Sequence, residues 1–183
     1  EVGKSFISAN LAVVLAQSGK RVLLIDGDMR RGYLHRLFAL TNEQGLSDYL
    51  RGQDVKPAQT EVEGLDVLSR GNVPPNPSEL LMGPAFEHLL QWAQSEYDLI
   101  LVDTPPLLAV TDAALITRYA SVNLLITRFA RTTVRETLLT VQRFNQNGIE
   151  IHGVVLNALE QTARNTYAYG GYHYAYQYRS KSA

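Results

Sequence analysis

The sequence has 183 residues, carries 17 Lys and Arg against 18 Asp and Glu for a formal net charge of −1, and is 45% hydrophobic. That length suits one domain with a real core, and the even charge argues against a globally basic nucleic-acid binder. With no cysteine there is no disulfide, no thiolate nucleophile and no Cys-based metal site. No apolar run reaches the ~18 residues that a bilayer span needs. Ten tyrosines stand out, and six of them fall between Tyr167 and Tyr178.

Over residues 4–18, Phe6, Ile7, Leu11, Val14 and Leu15 recur at helical spacing, and Gly19 supplies the left-handed stop. Residues 21–26 end in the apolar run Val22–Ile25 and Asp26, the pattern of a strand covered on both faces. A helix feeding such a strand is half of a βαβ unit and predicts a further strand before residue 1. Residues 33–52 read as short helical pieces, 65–68 as a short strand and 71–77 as a turn-rich loop. Ser78 is expected to cap one helix running to about Ser95, with Glu79 in its first turn. A second buried strand at 98–103 is followed by a helix at 112–119, a strand at 122–127, a helix at 134–146 and a strand at 153–157. This alternation predicts an α/β fold with a doubly wound, mostly parallel sheet. Beyond Asn157 the periodicity stops. Residues 164–183 hold no Asp or Glu, three Arg or Lys, and no aliphatic side chain larger than Ala, a composition expected of a flexible tail.

Three motifs carry chemistry. Gly3-Lys4-Ser5 opens a helix and matches the end of the phosphate loop G-x-x-x-x-G-K-[ST], whose first glycine would fall two positions before residue 1. The sequence is therefore expected to be a fragment beginning inside that loop. In such a loop Lys4 bridges the β- and γ-phosphates and the Ser5 hydroxyl ligates Mg²⁺. Asp103 ends a buried strand and fits the acidic partner that holds Mg²⁺ directly or through water. Asp26 and Asp28 end another such strand; one can orient or deprotonate a nucleophile while the other supports Mg²⁺ hydration. Each motif has a plain alternative, namely a Gly-Lys-Ser turn, a strand-end Asp, or an Asp-Gly turn with solvated charges. Their convergence on one sheet edge favours the functional reading, because ligands gather at strand C-termini in such folds.

Lys4-Ser5, VLLIDGDMRRG (22–32), GNVPPNPSELL (71–81) and DLILVDTPPLLAVTDA (98–113), followed by a tyrosine-rich end, resemble the cytoplasmic kinase domain of bacterial tyrosine autokinases, the BY-kinases of capsule and exopolysaccharide export. The resemblance covers nearly the whole chain and implies a P-loop NTPase fold that uses ATP and Mg²⁺ to phosphorylate tyrosine. By position it implies that Gly3, Lys4 and Ser5 belong to Walker A and that Asp26 and Asp28 form the extra Walker A′ motif, with Asp26 as base. It likewise makes Asp103 Walker B and Asn157 an adenine contact. Arg30 follows the acids as the family's arginine does, without a role being fixed. Expected partners are further copies in a ring with trans-phosphorylation, a membrane-anchored activator or periplasmic portion in the same or a partner chain, and a cognate tyrosine phosphatase. The expected location is the cytoplasmic face of the bacterial inner membrane.

The chain is thus expected to divide into a kinase domain at 1–157 and an autophosphorylation tail at 158–183, with Tyr167, Tyr169, Tyr172, Tyr174, Tyr176 and Tyr178 as acceptors. A tyrosine hydroxyl, with a pKa of ~10, needs a base beside it. An extended tail would span ~35 Å from Asn157 to Tyr167 and ~75 Å to Tyr178, enough for its own site or a neighbour's. The competing reading is a non-kinase ATPase switch of the chromosome-partitioning or division-site-placing type. A third is a catalytically inert partner-binding module with a tyrosine tail. For the tail alone, the plain alternative is an adhesive linker or a stacking platform for single-stranded nucleic acid or sugars. Tyr33, Tyr49, Tyr97 and Tyr119 sit in periodic segments and are expected to be structural. The four histidines show no metal-ligand spacing.

Overall fold

The computed structural model describes residues 2–160; the six expected acceptor tyrosines lie outside the described residues. In chain order the elements are α1 (Lys4–Gln17), β1 (Val22–Asp26), α2 (Leu34–Leu37), α3 (Leu46–Leu50), β2 (Ala58–Gln59) and β3 (Leu65–Leu68). There follow α4 (Pro77–Met82), α5 (Pro84–Glu96), β4 (Leu99–Asp103), α6 (Asp112–Thr117), β5 (Leu124–Arg128), α7 (Val134–Gln146) and β6 (Gly153–Asn157).

The central strand is β1. It runs parallel to β3, with Val22 opposite Leu65, and to β4, with Asp26 opposite Asp103. The two-residue β2 pairs antiparallel with the outer edge of β3, so the sheet is mixed at that edge. Strands β5 and β6 form a separate parallel pair in which Arg128 lies opposite Asn157. All of β1 is buried because it is covered on both faces. Leu23 and Ile25 pack with Met29, Leu46, Leu68 and Phe86 on one side, while Val22 and Leu24 pack with Ala9, Ala12, Ala16 and Leu34 on the other. Side chains alternate across a strand, so two cores flank one strand and the sheet is doubly wound.

Four local expectations change. Helix α1 turns its alanines inward: Ala9, Ala12 and Ala16 are buried, whereas Phe6 and Val14 are 58% and 60% exposed. Small residues let the helix backbone approach the sheet, which sets its N-terminus close to the ends of β1 and β4. The single helix expected at 78–95 is two, because Pro84 lacks an N–H and forces Gly83 into extended backbone. Asn76, not Ser78, occupies the cap position of α4, with Pro77 as the first helical residue. Strand β4 is only partly buried, with Leu99 38% exposed, because among the described residues it has a strand partner on the β1 side alone. The short β2 is also an addition, since two residues leave no readable alternation. Residues 2–8 bridge the two sheets at their C-terminal ends. Asn157 Nδ2 donates to the Val2 carbonyl at 2.9 Å, and Ser8 Oγ donates to Asp103 Oδ1 at 3.3 Å.

Candidate active site

Gly3 begins the site. Its φ of 92° is left-handed, and a Cβ there would lie 2.4 Å from Asn157 Nδ2, so both backbone and space require glycine. The Ile7 N–H closes the first turn of α1 onto the Gly3 carbonyl at 3.0 Å. The N–H groups of Lys4, Ser5 and Phe6 precede that bond and have no carbonyl within the helix, and no acidic residue occupies this turn. Donors without a helix carbonyl and the positive helix end together suit an anion.

Asp26 and Asp103 close the next layer, side by side on β1 and β4. Asp26 is fully buried; its Oδ2 accepts the Leu34 N–H at 3.0 Å, and its Oδ1 has no hydrogen-bond partner. Burial pushes the Asp26 carboxyl up from 3.8 to about 7, helped by repulsion from Asp103 and Asp28 and opposed by the Leu34 N–H. Gly32 packs directly on it, since a Cβ at that position would lie 2.1 Å from Asp26 Oδ1. Asp103 is also raised by burial, while Ser5, Lys4 and Ser8 pull it back by hydrogen bonding and opposite charge. Its Oδ2 has no hydrogen-bond partner.

Asp28 is turned into its own loop. Its Oδ1 accepts the backbone N–H groups of Arg30 and Arg31 at 3.2 and 2.9 Å, and the Gly32 N–H donates to the Asp28 carbonyl at 2.7 Å. Arg30 leaves this turn and donates from Nε to Asp112 Oδ2 at 2.9 Å; Ser78 Oγ donates to the other oxygen, Asp112 Oδ1, at 2.5 Å. Beside the turn, Arg31, Gly32, Tyr33, His35, Arg36 and Arg70 line an open basic cavity of about 390 Å³.

Lys4, Ser5, Asp26 and Asp103 therefore converge, Asp28 adjoins them, and Asn157 touches the loop at Val2 and Gly3. Sequence reasoning missed Ser8, Gly32, Ser78 and Asp112. The residues Asp112 and Ser78 stood in motifs already noticed, but an Asp at a helix start reads as a favourable N-terminal charge. Only the fold brings it to Arg30. Among the described residues, no three of His, Cys, Asp and Glu are grouped to hold a metal by themselves. The donor set suits instead a cation shared with an anion: one hydroxyl, one carboxylate with a free oxygen, and a helix terminus for phosphate. Among the described residues no helix is long and apolar enough to cross a membrane.

A ParA family profile, described as NUBPL iron-transfer P-loop NTPase, matches residues 1–170. The tyrosine-protein kinase Wzc of Salmonella typhimurium is 50% identical over 185 residues, which cover 98% of this chain and 26% of that protein. The chain thus spans about a quarter of the length of the curated relatives it matches. The kinase domain of the Escherichia coli tyrosine kinase ETK superposes with a TM-score of 0.84 at 48% identity, covering 89% of this chain and 66% of that one. The VpsO kinase domain gives 0.82 at 34%, covering 87% and 80%. The septum site-determining protein MinD of Pyrococcus horikoshii, at a TM-score of 0.70 and 24% identity over 90% and 68%, shares the fold alone. By profile, sequence and structure, the chain belongs to the ParA-type P-loop NTPases and, among them, to the bacterial tyrosine-kinase domains.

Proposed function

We propose that residues 1–157 are the nucleotide-binding and catalytic part of an ATP- and Mg²⁺-dependent tyrosine autokinase whose acceptors are Tyr167, Tyr169, Tyr172, Tyr174, Tyr176 and Tyr178. The observation that carries this reading is Asp26, a buried carboxyl with an unpaired oxygen and a pKa near 7, beside Asp103 and within the layer below Lys4 and Ser5. A base poised near neutral pH is what a tyrosine hydroxyl needs, and the likeness to tyrosine-kinase domains favours tyrosine over water as the nucleophile it serves.

In the proposed step the tyrosine oxygen bonds to the γ-phosphorus, the bond from that phosphorus to the β–γ bridging oxygen breaks, and ADP leaves with the electron pair. The hydroxyl proton passes to Asp26 Oδ1. The free N–H groups at the start of α1 cradle the phosphates, and Lys4 neutralises charge on the transferring group. Mg²⁺ would be held by Ser5 and by Asp103, directly or through water, and would supply charge neutralisation for the transferring phosphoryl group. Asp26 is covered by Gly32, so Gly32, at the end of the 27–32 turn, has to move aside as the tyrosine enters. Asn157, on the strand end that touches the loop, is assigned to the adenine side.

The names Wzc, AmsA and the cps-region kinase support a role in exopolysaccharide or capsule production. On the same resemblance we assign a ring of identical subunits with trans-phosphorylation, a membrane-anchored activator, an opposing phosphatase, and work at the inner face of the bacterial inner membrane. Six phosphotyrosines, each about −1.5 to −2, would change segment 164–183 from +3 to about −6 to −9. That change is expected to loosen the ring, and equal solution masses for fully phosphorylated and all Tyr→Phe proteins at matched salt would reject it.

The function is tested with γ-labelled ATP and Mg²⁺ on the intact natural protein and on its truncation after Arg164. Label on tyrosine, lost on truncation, is expected. Phosphate release without tyrosine label would replace the kinase by the ATPase switch, and neither activity would leave the inert module.

A further inference from the structure

We propose that Asp112 is a positioning residue for phosphoryl transfer: with Ser78 it holds Arg30, and through Arg30 it fixes the 27–32 turn that carries Asp28 and covers Asp26. The proposal rests on the kinase reading above and goes beyond it, since neither Asp112 nor Ser78 belongs to the nucleotide motifs.

Asp112 is wholly buried, yet it is not a spare charge. Each of its oxygens has one donor, Arg30 Nε at 2.9 Å and Ser78 Oγ at 2.5 Å. The three residues come from segments far apart in the chain: the turn after β1, the first turn of α4, and the start of α6 downstream of β4. A buried carboxylate costs free energy unless it is paired, and an apolar side chain of similar size often gives equal or better stability. Such a group is poor economy as a stabiliser, whereas directed donors on both oxygens define a position.

What it positions follows from the turn itself. Arg30 and Arg31 donate their N–H groups to Asp28 Oδ1, and Gly32 lies on Asp26. The turn is therefore closed from within by Asp28 and tethered from outside by Asp112. Half of the Arg30 side chain stays accessible, at 42%, so the tether is made through Nε and leaves the far end of the guanidinium at the surface. Lys4, Ser5 and Asp103 do not depend on this tether, because α1 and β4 hold them through Ser8 and the β1 ladder. Loss of Asp112 should then leave nucleotide binding in place while disordering the turn through which an acceptor must reach Asp26. A misplacement of about 1 Å near reacting groups costs on the order of 100-fold in rate.

The test uses the intact natural protein and compares Asp112→Asn, Ser78→Ala, Ser78→Thr and Arg30→Lys. For each, the ADP dissociation constant is measured by titration, and kcat and KM for ATP are taken from tyrosine labelling. Asp112→Asn is expected to lower kcat about 10- to 100-fold with KM for ATP and ADP affinity within about 2-fold. Ser78→Ala should fall in the same direction, and Ser78→Thr, which keeps the hydroxyl, should restore most of the rate. Unchanged kcat in Asp112→Asn would overturn the proposal. So would a parallel loss of ADP affinity and kcat, or failure of Ser78→Thr to exceed Ser78→Ala, since these mark a purely structural role. Should Asp112→Asn not fold, the Ser78 pair and Arg30→Lys decide alone. Absence of tyrosine label from the unsubstituted protein would reject the kinase reading itself, a different result from any of these.

Discussion

The C-terminal ends of β1 and β6 both face the phosphate loop, but they are built oppositely. Every residue of β1 is buried, with a core on each face and a carboxylate at its tip. Strand β6 alternates between half-buried and exposed, with Val154 at 57% and Leu156 at 45%, and ends in the amide of Asn157. The dry end perturbs ionisation, because burial penalises a charged Asp26 that has one hydrogen bond. The open end contributes a neutral contact to the loop through the Asn157 amide. On the proposed function, chemistry falls where the fold is tightest, and ligand contact where it is loosest.

The largest break in that contrast comes from Asp26→Asn. Removing the base is expected to lower tyrosine phosphorylation by about 10²- to 10⁴-fold in single-turnover assays. The same change should stabilise the fold in alkaline solution. The carboxyl rises from 3.8 to about 7 on folding, so between these values the folded chain binds more protons than the unfolded one. Its contribution therefore falls as pH rises through this window, and the full penalty is present above pH 7. Asp26→Asn should gain about 1–3 kcal/mol at pH 8 and little at pH 4, read by urea unfolding at both. Equal gains at the two pH values would mean that ionisation is not the cause.

Next in size is the packing difference. Ile25→Ala, in the core of β1, should cost about 2–5 kcal/mol, and Val154→Ala on β6 no more than about 0.5, measured by denaturant midpoints. Comparable losses would remove the distinction between the two ends. Smallest is Asn157→Ala, which deletes the hydrogen bond to Val2 and the proposed adenine contact. It should raise KM for ATP about 3- to 10-fold with kcat kept, the signature of lost uniform binding. A fall in kcat instead would place Asn157 with the chemistry.

Much of this was legible in the residues. The buried run Val22–Ile25 and the helical period of 134–146 fixed β1 and α7, because each pattern is local and long enough to read. The convergence of Lys4, Ser5, Asp26 and Asp103 followed from one topological rule about strand ends. What escaped depended on partners distant in sequence. The inward face of α1 is set by how closely Ala9, Ala12 and Ala16 approach the sheet, which hydrophobicity alone ranks below Phe6 and Val14. Pro84 was present to be read as a break, yet the surrounding apolar period outweighed it. Ser78 looked like a cap, and its hydroxyl instead serves Asp112, 34 residues later. Gly32 could be recognised only once Asp26 lay beneath it.

The claim that burial makes Asp26 a base poised for neutral pH is tested most directly by a ¹³C-carboxyl NMR titration of the nucleotide-free protein, assigned by comparison with Asp26→Asn. A midpoint near 7 is expected. A midpoint at about 4, the ordinary range for an aspartate, would contradict it.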